Sequence, residues 1–295
     1  MRARLIILAA LALVTLAMSL AAAAAPAPYS RGLLFRLDRP GAAPSYVFGT
    51  LHSNDARVVG LPEPVRAAFA ASHRLALEIV LADAEEVEFF AAAQYDDGRR
   101  LADAFDAPTL GRIREVLGER APPEPQFDRL KPWAVLLLLA QPRADSGLTL
   151  DQQLLREARR RKLAVIGLEI LQEQIAALDT VPLASQVALV QWALLHHPEI
   201  AADHDASIAA WRDRDLARLD RLAREPGRRD PALAPHFAAL SRQLVDGRTA
   251  LMAHRLFIPL RDGRIFVAVG ALHLYGSNGL LSLLHAQGYR VRRLY

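Results

Sequence analysis

"YVFGTLHSND" runs from Tyr46 to Asp55, and "IFVAVGALHLYGSNG" runs from Ile265 to Gly279. In each, an apolar run of strand length ends in Gly-x-x-His, with Gly49 before His52 and Gly270 before His273. The histidines are 221 residues apart (273 minus 52) and no fixed period fills the interval. They therefore form an echo at the two ends of the chain and not a repeat array. Strands at both ends of a chain can pair in one sheet. A strand that leaves the sheet through glycine can turn sharply and bring the next histidine back over the sheet edge.

Working outward, Leu33, Phe35 and Leu37 alternate with Leu34, Arg36 and Asp38, so "GLLFRLDRPGAAPSYVFG" reads as a hairpin turned by "RPGAAPS". "LPEPVRAAFAAS" is a helix with proline in its first turn. "HRLALEIV" is a strand carrying Glu78, and "DAEEVEFFAAAQY" is a helix capped by Asp83. "TLDQQLLREARRRK" places Leu150, Leu154, Leu155 and Ala158 on one face, and "LAVIGLE" follows as a strand ending at Gly167 and Glu169. Residues 171 to about 260 are helical, with "REPGRRDP" as a surface loop. "RIFVAVG", "NGLLSLLHAQ" and "YRVRRLY" close the chain as strand, helix and strand. The expected fold class is α/β: a central mixed sheet formed by the N- and C-terminal segments, flanked by helices, with a long helical middle. Residues 26–295 are expected to be one domain with a helical insertion at about 96–260.

The chain has 295 residues, 52% apolar and 23% charged, which suits a sizeable core and excludes global disorder. Arg2, Arg4, the apolar run from Leu5 and the final alanines up to Ala25 have the form of a cleaved secretory signal peptide over residues 1–25. No stable membrane insertion is expected after cleavage, and the location is expected to be periplasmic or secreted. There are no cysteines, which removes disulfides, thiolate metal sites, cysteine nucleophiles and a lipoprotein anchor. Without Arg2 and Arg4, 34 basic residues face 32 acidic ones, so nothing points to a nucleic-acid partner.

His52, Glu78, Glu169 and His273 each fall at or just past the end of an expected strand. In open α/β sheets ligands bind outside the carboxyl ends of the strands, so parallel neighbours would gather these groups at one rim. Imidazole and carboxylate together can hold a divalent metal, or can act without metal as an acid/base pair. A lone strand-end histidine is usually structural; the repeated context is what favours chemistry here. Arg248, on a helix with Arg255, can either be solvated or reach the rim to bind a carboxylate or oxyanion. "HHPEIAADHD" (196–205) is rich in metal-ligand types, but Pro198 and its place between helices favour a solvated turn. The chain has no Gly-x-Ser-x-Gly, His-Glu-x-x-His or phosphate-loop motif.

Taken together, "VFGTLHSND", "LALEIV", "LKPWAVLLLL", "LDQQLLREARRRKLAVIGLEILQEQIAAL", "AAWRDRDLARL" and the closing "IFVAVGALHLYGSNGLLSLLHAQGYRVRRLY" resemble the TraB/GumN family, which is distantly similar to the Tiki proteins. The resemblance implies a fold like that of the erythromycin esterase and ChaN-type proteins. It implies a site at Gly49, His52, Glu78, Gly270 and His273, with a divalent metal (manganese, cobalt or zinc) held by His52, Glu78 and His273. The family arginine corresponds to Arg248; the asparagine that usually follows it is Thr249 here, and Ile170 stands where threonine usually follows the acid at Glu169. The expected activity is that of an exported metal-dependent hydrolase acting on a peptide or small molecule. In that reading His52, Glu78, His273 and Arg248 are catalytic, with Gly49, Gly270 and Glu169 on the substrate side. The other expectations are a non-catalytic peptide- or haem-binding protein and, from the GumN name, a polysaccharide-export accessory.

Overall fold

The computed structural model describes residues 28–141 and 147–295, the side chains at 83 and 84 excepted. The expected signal segment lies outside the described residues. The strands are β1 (Leu34–Asp38), β2 (Ser45–Thr50), β3 (Arg74–Leu77), β4 (Ala164–Gly167), β5 (Ile265–Gly270) and β6 (Arg290–Arg293). They form one sheet in the order β4-β3-β5-β2-β1-β6. β4, β3, β5 and β2 are parallel, while β1 runs antiparallel to both β2 and β6. The sheet is mixed and built from both chain ends, as the sequence predicts. β5 sits at its centre with all six residues buried, which is why "IFVAVG" is continuously apolar: a parallel strand covered on both faces has no polar side.

The helices are α1 (Glu63–Ala70), α2 (Asp83–Ala92), α3 (Ala107–Leu117), α4 (Pro132–Ala140), α5 (Leu150–Arg160), α6 (Leu171–Asp179) and α7 (Leu183–Leu195). After them come α8 (His197–Arg212), α9 (Leu216–Arg229), α10 (Ala234–Ser241), α11 (Arg248–Arg255), α12 (Phe257–Asp262) and α13 (Leu280–Ala286). A π-helical stretch, Arg242–Gly247, joins α10 to α11. At α5 Thr149 and Gln152 form a reciprocal capping box, and Leu150, Leu154 and Ala158 are buried, leaving the arginines outside.

Two apolar cores result. One surrounds the sheet and contains Phe48, Phe69, Phe266 and Trp211. The other lies among helices and contains Phe89, Trp133, Trp192 and Phe237. The helical middle therefore does not stand apart: α5, α8, α9, α11 and β4 contribute to the sheet core. "VLLLLA" is the buried body of α4 in the second core. Among the described residues no single helix is long and apolar enough to cross a membrane.

Two local expectations are corrected. "REPGRR" is helical, not a loop: α9 continues through Pro226 to Arg229, and Pro226 and Gly227 are buried. A Cβ at Gly227 would lie 3.2 Å from Ala234 Cα, so the glycine lets the chain pack closely at the start of α10. At α2 the cap is Ala82, not Asp83, and Glu85 accepts the Ala82 N–H at 2.7 Å.

Candidate active site

Glu78 follows β3, Glu169 lies two residues beyond β4, and the β3/β4 ladder continues past both strands through Leu168 N–H to Leu77 O and Glu169 N–H to Glu78 O, each 2.8 Å. The two carboxylates are thereby set side by side. His52 comes two residues after β2, and His273 ends the short 3-10 turn that follows β5. Because β2, β5, β3 and β4 are parallel, all four residues emerge at the same rim.

Glu78 is the hub. Its Oε1 accepts the Gly270 N–H at 2.6 Å and faces His52 Nε2 at 3.5 Å and His273 Nε2 at 3.7 Å. Its Oε2 accepts from Arg248 at 2.7 Å. Arg248 also donates to both oxygens of Glu169, at 2.7 to 3.1 Å, and to Leu244 O. A Cβ at Gly270 would stand 3.0 Å from His52 Nε2 and 3.1 Å from Glu78 Oε1, so glycine keeps the centre of the cluster open. Gly49 has a different job. Its Cβ would meet Leu274 Cδ1 at 2.8 Å, and its carbonyl accepts from Trp211 Nε1 at 3.0 Å, so it seats the β5 exit and α8 against β2.

The second partner of each histidine sets its tautomer. Thr249 Oγ1 donates its one proton to Val245 O at 2.7 Å, so its 2.7 Å contact with His273 Nδ1 is donated by the ring. In the neutral ring His273 Nε2 is then a bare acceptor, buried without a hydrogen-bond partner among the described residues. His52 Nδ1 lies 3.1 Å from Asp151 Oδ2, a carboxylate that can only accept, and Asp151 Oδ1 is held by Thr50 Oγ1 at 2.8 Å. His52 Nε2 is again the inward acceptor of a neutral ring. With both rings neutral, two imidazole lone pairs and one carboxylate oxygen would converge, an arrangement that a proton or a metal ion among them relieves.

Charge supports the same conclusion. Glu78 and Glu169 share the guanidinium of Arg248, while Asp151 is paired with His52. Burial alone would depress His52, but Asp151 and Glu78 raise it to about 10, so a proton can serve as that cation. Burial lowers His273 to about 4, which keeps its ring neutral. Burial opposes charge on Glu78, yet His273, Arg248 and His52 hold its carboxyl well below the ordinary value. Burial raises Glu169 despite its pairing with Arg248.

A divalent ion fits these donors. Among the described residues no three donors already stand at metal-binding geometry. The 3.5 and 3.7 Å pairs are nevertheless close to the ~3.3 Å that separates donors around a tetrahedral ion with ~2 Å bonds. Each Nδ1–H is bound to an outer acceptor, the support that metal-ligating histidines commonly have.

The structure thus brings His52, Glu78, Glu169, Gly270, His273 and Arg248 together. Arg248 reaches the rim and binds carboxylates there, those of Glu78 and Glu169, and both Arg248 and Glu169 are buried in that ion pair. Asp151 and Thr249 are the groups sequence reasoning missed. An acid in the first turn of a helix looks like a dipole-stabilising residue, and Thr249 looked like a departure from a family pattern.

A family model described as the TraB/PrgY/gumN family matches residues 33–293. No curated protein and no solved structure matches the chain significantly. The chain belongs to the TraB/PrgY/gumN family.

Proposed function

We propose that this member of the TraB/PrgY/gumN family is an exported, divalent-metal-dependent hydrolase of peptide bonds. The observation that carries the reading is the convergence of His52 Nε2, His273 Nε2 and Glu78 Oε1, three acceptors with their outer partners already fixed. Those three residues would hold the ion, which would supply Lewis acidity toward a carbonyl oxygen and toward water. Manganese, cobalt and zinc all suit a nitrogen and carboxylate donor set. The choice of peptide rests on the resemblance to Tiki proteins, and export rests on the character of residues 1–25.

The other residues of the site prepare these donors. Asp151 holds the His52 ring with Nε2 inward, and Thr249 does the same for His273. Arg248 occupies Glu78 Oε2, which leaves Oε1 as the oxygen turned to the histidines. His52 is also placed to carry a proton, because Asp151 stabilises its imidazolium. The side chain of Asp151 is 19% exposed and that of His52 9%, whereas His273 is sealed at 1%. A substrate would therefore approach along the His52–Asp151 side.

The test is metal analysis of the purified chain loaded in turn with manganese, cobalt and zinc. About one ion per chain is expected, with loss in His52→Ala and in Glu78→Ala. Wild-type protein that retains no stoichiometric ion under any loading overturns the metal reading. Hydrolysis that survives complete removal of metal would instead point to His52 and Asp151 as a metal-free general base.

A further inference from the structure

Outside the rim cluster, a cavity of about 500 Å³ lies among α7, α8 and α9. That volume is in the range of small-ligand pockets. Its wall is partly apolar, with Trp192, Ile200, Leu222 and Pro226. The Trp192 ring is stacked on His196 at 5.1 Å, and Leu195 at the edge is 76% exposed. The polar part of the wall is acidic. Glu199, Asp203, Glu225 and Asp230 face one guanidinium, Arg229, and that cation is already paired with Glu225 at 3.2 Å. Asp203 is half-buried, and among the described residues its carboxylate has no hydrogen bond or ion pair.

The cavity adjoins the site. His204 lines it, and His204 Nε2 lies 3.5 Å from Oγ of Ser53, the residue next to His52. α8 ties the two places together: Asp203, His204 and Ser207 line the cavity, and one turn beyond Ser207, Trp211 bonds the Gly49 carbonyl on the other side of the same loop. "HHPEIAADHD" is therefore not a solvated turn. Only His196 is a junction residue, and the segment from His197 onward is the first half of α8, with Glu199 and Asp203 on the cavity wall and Asp205 exposed and paired with Arg57.

We propose that this cavity is the substrate's side-chain pocket, and that it selects a long cationic residue, arginine or lysine. The aliphatic stem would lie along Trp192 and Leu222, and the cationic head would reach Asp203, with Glu199 nearby at the wall. Burial raises the Asp203 carboxyl, as expected of an acid that lacks its cation. The placement of the pocket beside the scissile bond rests on the peptidase reading; the binding of a cationic side chain does not.

The two can be separated with the full chain. Calorimetric titration with Nα-acetyl-arginine amide and with the neutral Nα-acetyl-norleucine amide should show at least about tenfold tighter binding of the arginine compound. Asp203→Asn should erase that difference, His52→Ala should leave it intact, and Leu222→Phe, which fills the cavity without changing charge, should weaken both ligands. Equal binding of the two amides, or selectivity untouched by Asp203→Asn, overturns the pocket. In a kinetic arm, kcat/KM for an arginine-bearing peptide over its norleucine twin should fall at least about tenfold in Asp203→Asn. Peptides cleaved without that preference would overturn the pocket and keep the peptidase. Asp203-dependent binding with no cleavage of any peptide would sustain the pocket and overturn the peptidase.

Discussion

The two Gly-x-x-His elements have the same spacing, follow neighbouring parallel strands and turn their Nε2 atoms on one carboxylate oxygen, yet they are not equivalent. His52 is backed by a carboxylate, is partly reachable from solvent and is held toward its charged form. His273 is backed by a hydroxyl, is sealed and is held neutral. The glycines differ as well: Gly270 keeps the centre of the cluster empty, whereas Gly49 accommodates Leu274 and the β5 exit. A shared motif therefore fixes where a histidine stands, and the residue behind its ring decides what it does. The His52 arm is suited to moving protons and meeting substrate, and the His273 arm to fixed ligation.

Removing the hub should give the largest effect. Glu78→Ala takes away the oxygen that both arms face and leaves Arg248 short of one partner. Bound metal should be lost, and stability should drop by on the order of 3 kcal/mol in urea unfolding. Retention of a stoichiometric ion by this variant would mean that the arms meet elsewhere.

The glycines come next, as a pair. Gly270→Ala should abolish metal binding, because its methyl would occupy the space between His52 and Glu78. Gly49→Ala should instead lower stability by about 1–3 kcal/mol through overpacking while still binding metal. If the two variants behaved alike, the assigned division between them would be wrong.

Exchanging the outer partners tests the arms more gently. Asp151→Asn should weaken metal binding about 10–100-fold and shift the pH profile of any hydrolysis. Thr249→Val leaves a buried imidazole N–H unpaired, and should cost about 1–3 kcal/mol of stability with a smaller change in the profile.

The smallest effect is in the pH dependence of the ion-free protein. His52 is raised from 6.5 to about 10, so its contribution is fully present below pH 6.5 and is lost as pH rises through 10. His273 is lowered from 6.5 to about 4, so its contribution is fully present above pH 6.5 and is lost as pH falls through 4. Thermal melts across pH should lose the alkaline limb in His52→Gln and the acid limb in His273→Gln. A single variant that flattened both limbs would show the two rings titrating as one unit.

Much of this was legible in the sequence because periodicity and glycine placement act locally. Runs such as "IFVAVG" declare a buried parallel strand, and the Gly-x-x-His pair marks where strands end. Glu78 and Glu169 could be placed at strand ends for the same reason. What was not legible depends on contacts far apart in sequence. Asp151 meets His52 across 99 residues and Arg248 meets Glu78 across 170, and neither pairing leaves a trace in local pattern. Arg248 and Thr249 are consecutive and both buried, immediately after a π-helical stretch that helical periodicity does not foresee. Glu199 and Asp205 are exposed as the sequence suggests, but a single helix cannot reveal that α7 and α9 form a cavity beside it that half-buries Asp203.

β5 lies between β2 and β3 in space but begins 215 residues after β2 ends (265 minus 50) and 188 after β3 ends (265 minus 77). During synthesis, the β1/β2 pair and the β3/β4 pair must therefore each wait with one open edge facing the gap that β5 will fill. Glu78 has no Gly270 amide to bind, and His52 has no counterpart, until residues beyond 270 have left the ribosome. A chain stopped short of β5 has no central strand and exposes two apolar strand edges. Assembly of the site is thus deferred to the end of translation. That timing makes loss of the last thirty or so residues more damaging than their distance from His52 in sequence implies.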